Sequence, residues 1–160
     1  MTIRNATAAD AAALAAVEAA CFPAAEAATE PQIAARLAVF PDKFFVAEED
    51  GNVIGFIDGA VIDRPTLTDA MFEDPSLHRP LGAWQAVYGL NTLPDYRRRG
   101  VAAALMNALL DAARAEGRRG AALTCKQALI HYYEKFGYRL LGLSASQHGG
   151  AVWYDMLLEF

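Results

Sequence analysis

The apolar positions Leu14, Val17 and Cys21 recur at three- and four-residue spacing, so residues 10–21 predict an amphipathic helix that Phe22-Pro23 ends. Thr29 followed by Gln32 has the form of a capping box, and Ile33, Leu37 and Phe40 carry a second helix as far as Pro41. Residues 44–49 and 53–62 then read as strands around the turn-rich Glu49-Asp50-Gly51-Asn52. Residues 63–82 carry Pro65, Pro75 and Pro80 and predict a long excursion with at most one short helix. Residues 84–93 form the next strand, stopped by Pro94. A helix follows over 101–116, with Leu105, Leu109 and Ala112 on one face and Gly117 just past its end. A short buried strand at 121–125, a helix at 128–136 closed by Gly137, and strands at 138–143 and 152–159 complete the chain. With a short edge strand at 2–5, the order is β-α-α-β-β-β-α-β-α-β-β. This is an α/β domain with a mixed central sheet flanked by helices.

Composition sharpens that picture by exclusion. A chain of 160 residues, 54% hydrophobic and 21% charged, can bury one full core, and no repeat or linker divides residues 1–160. Charge, Gly or Pro interrupts every apolar stretch before the length a membrane span needs. Met1-Thr2-Ile3-Arg4-Asn5 has no basic segment leading into an apolar run, so no secretory signal is expected. Cys21 and Cys125 are too few for a disulfide framework or a metal site, and a cytoplasmic location is expected. The net charge of −5 argues against nucleic acid or anionic lipid as a partner.

Against this acidic background stands Tyr96-Arg97-Arg98-Arg99-Gly100-Val101-Ala102-Ala103, between a predicted strand and a predicted helix. A helix N-terminus offers unpaired N–H groups and the positive end of its dipole, which suits phosphate. Gly100 allows close backbone approach, Ala102 and Ala103 keep the first turn uncrowded, and the arginines add charge-assisted contacts. The spacing is neither that of a Walker A loop nor that of a GxGxxG fingerprint.

Arg97-x-x-Gly100-x-Ala102 resembles the pyrophosphate-binding motif of the GNAT family of N-acetyltransferases, and Tyr132-Tyr133-Glu134-Lys135-Phe136-Gly137-Tyr138 resembles a later segment of the same family. Two further stretches are similar to the arylalkylamine (serotonin-type) members. They are Leu77-His78-Arg79-Pro80-Leu81-Gly82, and Thr124-Cys125-Lys126-Gln127-Ala128-Leu129 followed by Tyr133. The resemblance implies a single GNAT-like domain over residues 1–160 that uses acetyl-CoA, without a metal, to acetylate a small primary amine. It implies that the pantetheine and acetyl group lie along Leu90, Asn91 and Thr92, with the diphosphate on the segment from Arg97 through Arg98, Arg99, Gly100, Val101 and Ala102 to Ala103. Tyr133 would face the thioester sulfur as the general acid. The vertebrate members carry two histidines on the central strand as a proton relay, whereas Ala86 and Tyr88 stand there in this chain, which leaves Tyr88 as the candidate base.

For the amine, Phe22-Pro23, Trp84 and Tyr88 offer flat apolar surface, and His78 serves either as a structural cap or on the substrate side. Glu18 and Glu26 flank Phe22-Pro23 and would suit a polyamine instead. Polyamine acetylation, protein N-terminal acetylation and a non-catalytic acyl-CoA sensor remain as alternatives. Cys125 reads as packing rather than as a nucleophile.

Overall fold

The computed structural model describes residues 1–160. The elements follow in the order β1 (Thr2–Asn5), α1 (Ala11–Cys21), α2 (Glu30–Val39), β2 (Phe44–Glu49), β3 (Asn52–Asp58), β4 (Val61–Ile62), α3 (Asp69–Glu73), β5 (Trp84–Val87), β6 (Gly89–Thr92), α4 (Val101–Ala115), β7 (Gly120–Cys125), α5 (Ile130–Glu134), β8 (Arg139–Leu143) and β9 (Tyr154–Glu159). Thr29 caps α2 as its spacing with Gln32 predicts, its hydroxyl accepting from the Gln32 N–H. Residues 63–82 contain the short α3 and one 3₁₀ turn, as the prolines there suggest.

The strands form two sheets, β1-β2-β3-β6 and β4-β5-β7-β9-β8. Every pairing is antiparallel except β5 with β7, which run parallel across the crossover through α4. Two expected strands are broken. Residues 53–62 divide into β3 and β4, and residues 84–93 divide at Tyr88 into β5 and β6. Hydrogen bonds bridge both breaks, from the Tyr88 N–H to the Asp58 carbonyl at 2.7 Å and from the Ala86 N–H to the Ala60 carbonyl at 2.9 Å. One bent ribbon therefore belongs to both sheets. Residues 128–136 likewise begin with a 3₁₀ turn before α5, so the long helix expected there is shorter.

Each face of the first sheet carries its own apolar core. Leu14 and Val17 of α1 and Ile33 and Leu37 of α2 pack with Phe44, Val46 and Phe56 on one side. Leu105, Met106 and Leu109 of α4 pack with Ala47, Ile54 and Ile57 on the other. Phe56 and Ile57, successive along β3, send their side chains to opposite faces, which is why both faces need helices. Truncating a buried phenylalanine such as Phe44 or Phe56 to alanine would cost about 3–5 kcal/mol. No helix is long and apolar enough to cross a membrane.

Candidate active site

Between the two sheets lies a cavity of about 1090 Å³. Its origin is a pairing that stops halfway. β5 pairs with β7 from Trp84↔Gly120 to Val87↔Leu123, but β6 pairs only with β3, and Thr124 and Cys125 pair only with β9. Past Tyr88 the strands part, and the backbone edges of β6 and β7 border the opening. The Thr92 carbonyl turns away from β3, since it accepts from Cys21 Sγ at 3.3 Å and from Arg97 Nε at 3.1 Å. By the alternation of an antiparallel ladder, the backbone of Leu90 turns the same way, toward the parting.

At one end of the cavity α4 begins. Gly100 is its N-cap at φ +78°, a left-handed conformation that glycine adopts freely, and no side chain caps the helix. The N–H groups of the first turn therefore have no partner within the helix. Gly100, Val101, Ala102 and Ala103 line the cavity with Arg97 and Arg98. Arg98 is also left-handed, at φ +63°, an uncommon state for a side-chain-bearing residue that costs on the order of 1 kcal/mol. Such a donor set, all N–H groups and guanidinium with no carboxylate, fits a diphosphate. Arg99 is turned out of it, 3.6 Å from Glu49 and stacked on Tyr96.

Tyr133 and Cys125 close the wall beside β7. Burial, with smaller contributions from Cys125 and Tyr132, pushes the Tyr133 phenol well up, so it holds its proton at neutral pH. Burial also pushes the Cys125 thiol up to about 11, and its sulfur contacts Met156 Sδ at 3.5 Å. A thiol in that state is an inert packing group.

At the other end the cavity meets three segments, the loop after α1, the α3 region and the β8–β9 loop. Tyr88, Phe72, His148 and Trp153 form a continuous aromatic wall there, with successive ring centroids 4.8, 5.5 and 6.0 Å apart. The His148 Nε2–Glu26 carbonyl contact at 2.8 Å and the Lys126–Glu26 ion pair at 2.8 Å tie these segments together. Phe22 and Pro23 add apolar lining. Glu18 also reaches the cavity, although it is only 6% exposed.

Several expected residues lie elsewhere. Trp84 does not line the cavity; it is buried in the core beneath the guanidinium of Arg119. His78 is structural, its Nδ1 accepting from the Val61 N–H at 3.0 Å, and desolvation lowers its pKa, which keeps that acceptor free. Asn91 is fully buried and faces away from the opening, while Leu90 and Thr92 line it. Tyr88 lines the cavity, but burial pushes its phenol well up, with Asp58 adding to the rise against Arg36. A phenol held protonated is a poor acceptor for an ammonium proton, and Tyr88 stands in the cavity wall with its ring against Phe72.

Glu18, Phe72, His148 and Trp153 are the site residues that sequence reasoning passed over or left to an alternative. For Glu18 a signal exists. It shares the inward stripe of α1 with Leu14, Val17 and Cys21, where a carboxylate is out of place unless it has a task.

A parted pair of strands, a bare helix N-terminus at one end and a buried tyrosine in the adjoining wall together shape a cavity suited to a long, thin ligand that carries phosphate. The chain belongs to the acetyltransferase (GNAT) family, whose model matches residues 11–138. It is 30% identical over 109 residues to the serotonin N-acetyltransferase of Mesocricetus auratus, a match covering 68% of this chain and 51% of that protein. The chain thus spans about half the length of that curated relative. Among solved structures, its fold is similar to the GphF GNAT-like decarboxylase in complex with isobutyryl-CoA, with a TM-score of 0.86, 22% identity and 99% of each chain covered. It is also similar to the loading GNATL domain of CurA from Lyngbya majuscula, with a TM-score of 0.83, 18% identity, and 99% and 96% covered.

Proposed function

We propose that the protein transfers an acetyl group from acetyl-CoA to a small primary amine bearing an aromatic ring. The observation that carries this reading is the cavity itself, with a phosphate-type cradle at the α4 end and an aromatic wall at the other. The diphosphate rests on Arg97, Arg98 and the first turn of α4, and the pantetheine lies along the free edge of β6. The Leu90 N–H polarises the thioester carbonyl as negative charge develops on its oxygen. Tyr133 gives its proton to the departing thiolate. A neutral phenol is the right donor for that step, and its raised pKa keeps it loaded.

Tyr88, Phe72, His148 and Trp153 favour an arylalkylamine. Covering a flat ring in such a wall contributes about 25 cal/mol per Å² of apolar area removed from water, so a ring is worth a few kcal/mol. A polyamine gains little there, and Glu26, one of the carboxylates that would serve it, is already paired with Lys126. The cytoplasm, where acetyl-CoA is made and used, is the compartment we assign to this reaction.

The test is thiol release from acetyl-CoA over a panel of tryptamine, phenethylamine, spermidine and a peptide N-terminus. The arylalkylamines should show the highest kcat/KM. If spermidine or the peptide exceeds them, the substrate class is overturned and the transferase reading stands. Tight acetyl-CoA binding with no release on any amine would favour an acyl-CoA sensor.

A further inference from the structure

We propose that Glu18 is the catalytic base that takes the proton from the substrate ammonium, and that Asp58, held by Arg36, positions and primes it from behind. The assignment rests on the acetyltransferase reading and supplies the step that reading lacks.

The geometry centres on Gly89, the first residue of β6. A β-carbon on Gly89 would meet Asn91 Nδ2 at 3.1 Å, Glu18 Oε1 at 3.4 Å and Asp58 Oδ1 at 3.6 Å. Three polar atoms from α1, β3 and β6 thus converge over a residue that lacks a side chain. The next residue is Leu90, whose backbone turns toward the parting where the thioester is placed. The carboxylate therefore stands over the residue next to Leu90, the position to which the proposed reaction assigns the thioester.

The two oxygens of Glu18 have different surroundings. Oε2 accepts from the Ala28 N–H at 2.8 Å, which fixes the side chain, and Oε1 is the one directed over Gly89. Among the charged and titratable groups facing it, Asp58 comes from β3 and Arg36 from α2. Tyr88, at the β5–β6 break, faces Arg36. The loop before α2 contributes only the Ala28 N–H.

The single guanidinium is committed elsewhere, to Asp58 at 3.2 Å and to the Phe72 carbonyl at 2.8 Å. Glu18 is left without a cation of its own, in a place where an ammonium would be one. Burial, then the neighbouring Asp58, pushes it up to about 7, against the lowering effects of the Ala28 N–H, Arg36 and the Asn91 amide. A carboxylate at that value is partly ionised at neutral pH and a far better match to an alkylammonium than an ordinary glutamate. Asp58 Oδ1 has no protein hydrogen-bond partner and faces the same point, so its charge is felt there.

The step balances as follows. Glu18 carboxylate takes one proton from R–NH₃⁺, giving R–NH₂ and the carboxylic acid, which returns the proton to solvent through the cavity. The nitrogen lone pair forms the C–N bond, and the C–S bond breaks as the thiolate takes the Tyr133 proton. Glu18 takes the second nitrogen proton as the amide forms and returns it to solvent too, and Tyr133 recovers its own from solvent. One proton is released per turnover.

Glu18→Gln, in the full-length protein, tests the assignment. Its amide oxygen can still accept from Ala28, and unchanged acetyl-CoA affinity by calorimetry verifies the fold. With phenethylamine at pH 7, kcat/KM should fall by about 10² or more. The rise in rate through about pH 7 expected of the wild type should be absent from the variant. A fluorinated phenethylamine with a lowered ammonium pKa arrives largely as free base, and on it the deficit should shrink at least tenfold. Asp58→Asn should move the limb to lower pH, which a purely structural role would not do. Wild-type kcat/KM and an unmoved limb in Glu18→Gln would overturn the base assignment alone. A wild-type protein that acetylates no amine would overturn it together with the transferase reading.

Discussion

The guanidinium of Arg36 and the carboxylate of Asp58 meet at 3.2 Å with both side chains almost entirely buried, 6% and 1% exposed. They join α2 to the end of β3, directly behind the place where the central ribbon bends. Burial outweighs the arginine, so the Asp58 pKa is raised rather than lowered. A pair of this kind is a poor source of stability and a good source of local charge. The charge it supports is felt by Glu18.

That relationship makes stability depend on pH with a sign opposite to the usual carboxylate. Glu18 titrates near 7 in the folded protein and near 4.5 in the unfolded chain. Between those values the folded state holds a proton that the unfolded state has lost, so stability falls as pH rises. Glu18→Gln should therefore unfold at higher urea than the wild type at pH 8, by about 1–3 kcal/mol, with the difference vanishing near pH 4. Parallel wild-type and variant stabilities from pH 4 to 8 would remove this account.

At the phosphate end, two substitutions of Gly100 separate charge from strain. Gly100→Ala places a β-carbon that meets nothing within 4 Å, so its cost is the left-handed backbone alone, about 1 kcal/mol of stability. Gly100→Asp adds a carboxylate to the cradle and should abolish acetyl-CoA binding. Calorimetry distinguishes them, with affinity reduced modestly in the first and lost in the second.

Tyr133→Phe removes one oxygen from the cavity wall and leaves the edge-to-face contacts with Tyr132 and Tyr138 in place. Acetyl-CoA affinity should be largely kept while kcat falls by about 10² to 10⁴. Pre-steady-state measurement of the chemical step settles the matter if product release limits turnover. An unchanged chemical rate from pH 6 to 9 would make Tyr133 a packing residue.

The aromatic wall predicts a contrast among four positions. Phe72→Ala and Trp153→Ala should raise KM for tryptamine several-fold to a hundred-fold with little change for acetyl-CoA. Trp84→Phe and His78→Ala should leave both constants alone. His78→Ala should instead lower stability by about 1–2 kcal/mol, because the Val61 N–H loses its acceptor. Steady-state kinetics with urea denaturation on the same four proteins provides the comparison.

The helices and most strands were legible because their signals are local. Thr29 with Gln32 starts α2, Gly117 follows α4, and prolines interrupt residues 63–82. The breaks at Tyr88 and after Asp58 were not legible, since residues 84–93 alternate as one strand would and only the neighbouring sheet bends them. The turn from Arg97 through Gly100 into α4 was readable for the same local reason as the helices, whereas the outward turn of Arg99 toward Glu49 was not. The end of the cavity away from α4 is assembled from residues as distant as Glu18, Phe72 and Trp153, and no spacing along the chain records that Phe72, His148 and Trp153 meet. Trp84 and His78 were attractive by residue type, but tertiary packing placed one under Arg119 and the other against Val61.

The parting of β6 from β7 has a consequence for how the protein behaves without its ligand. Exposed strand edges ordinarily invite other chains, and natural sheets blunt them with charge, proline or a covering helix. Here two raw edges face each other inside a cleft roofed by the loop after α1 and the β8–β9 loop, where a foreign strand has no approach. The backbone groups that elsewhere would seed aggregation are kept in shelter, the Thr92 carbonyl already taken by Cys21 and Arg97, and a slim extended molecule such as pantetheine can complete the sheet in place of a strand. Amide hydrogens on the free edges, Leu90 among them, would then exchange fast in the free protein and slowly in the complex. The hazard and the affinity have one origin.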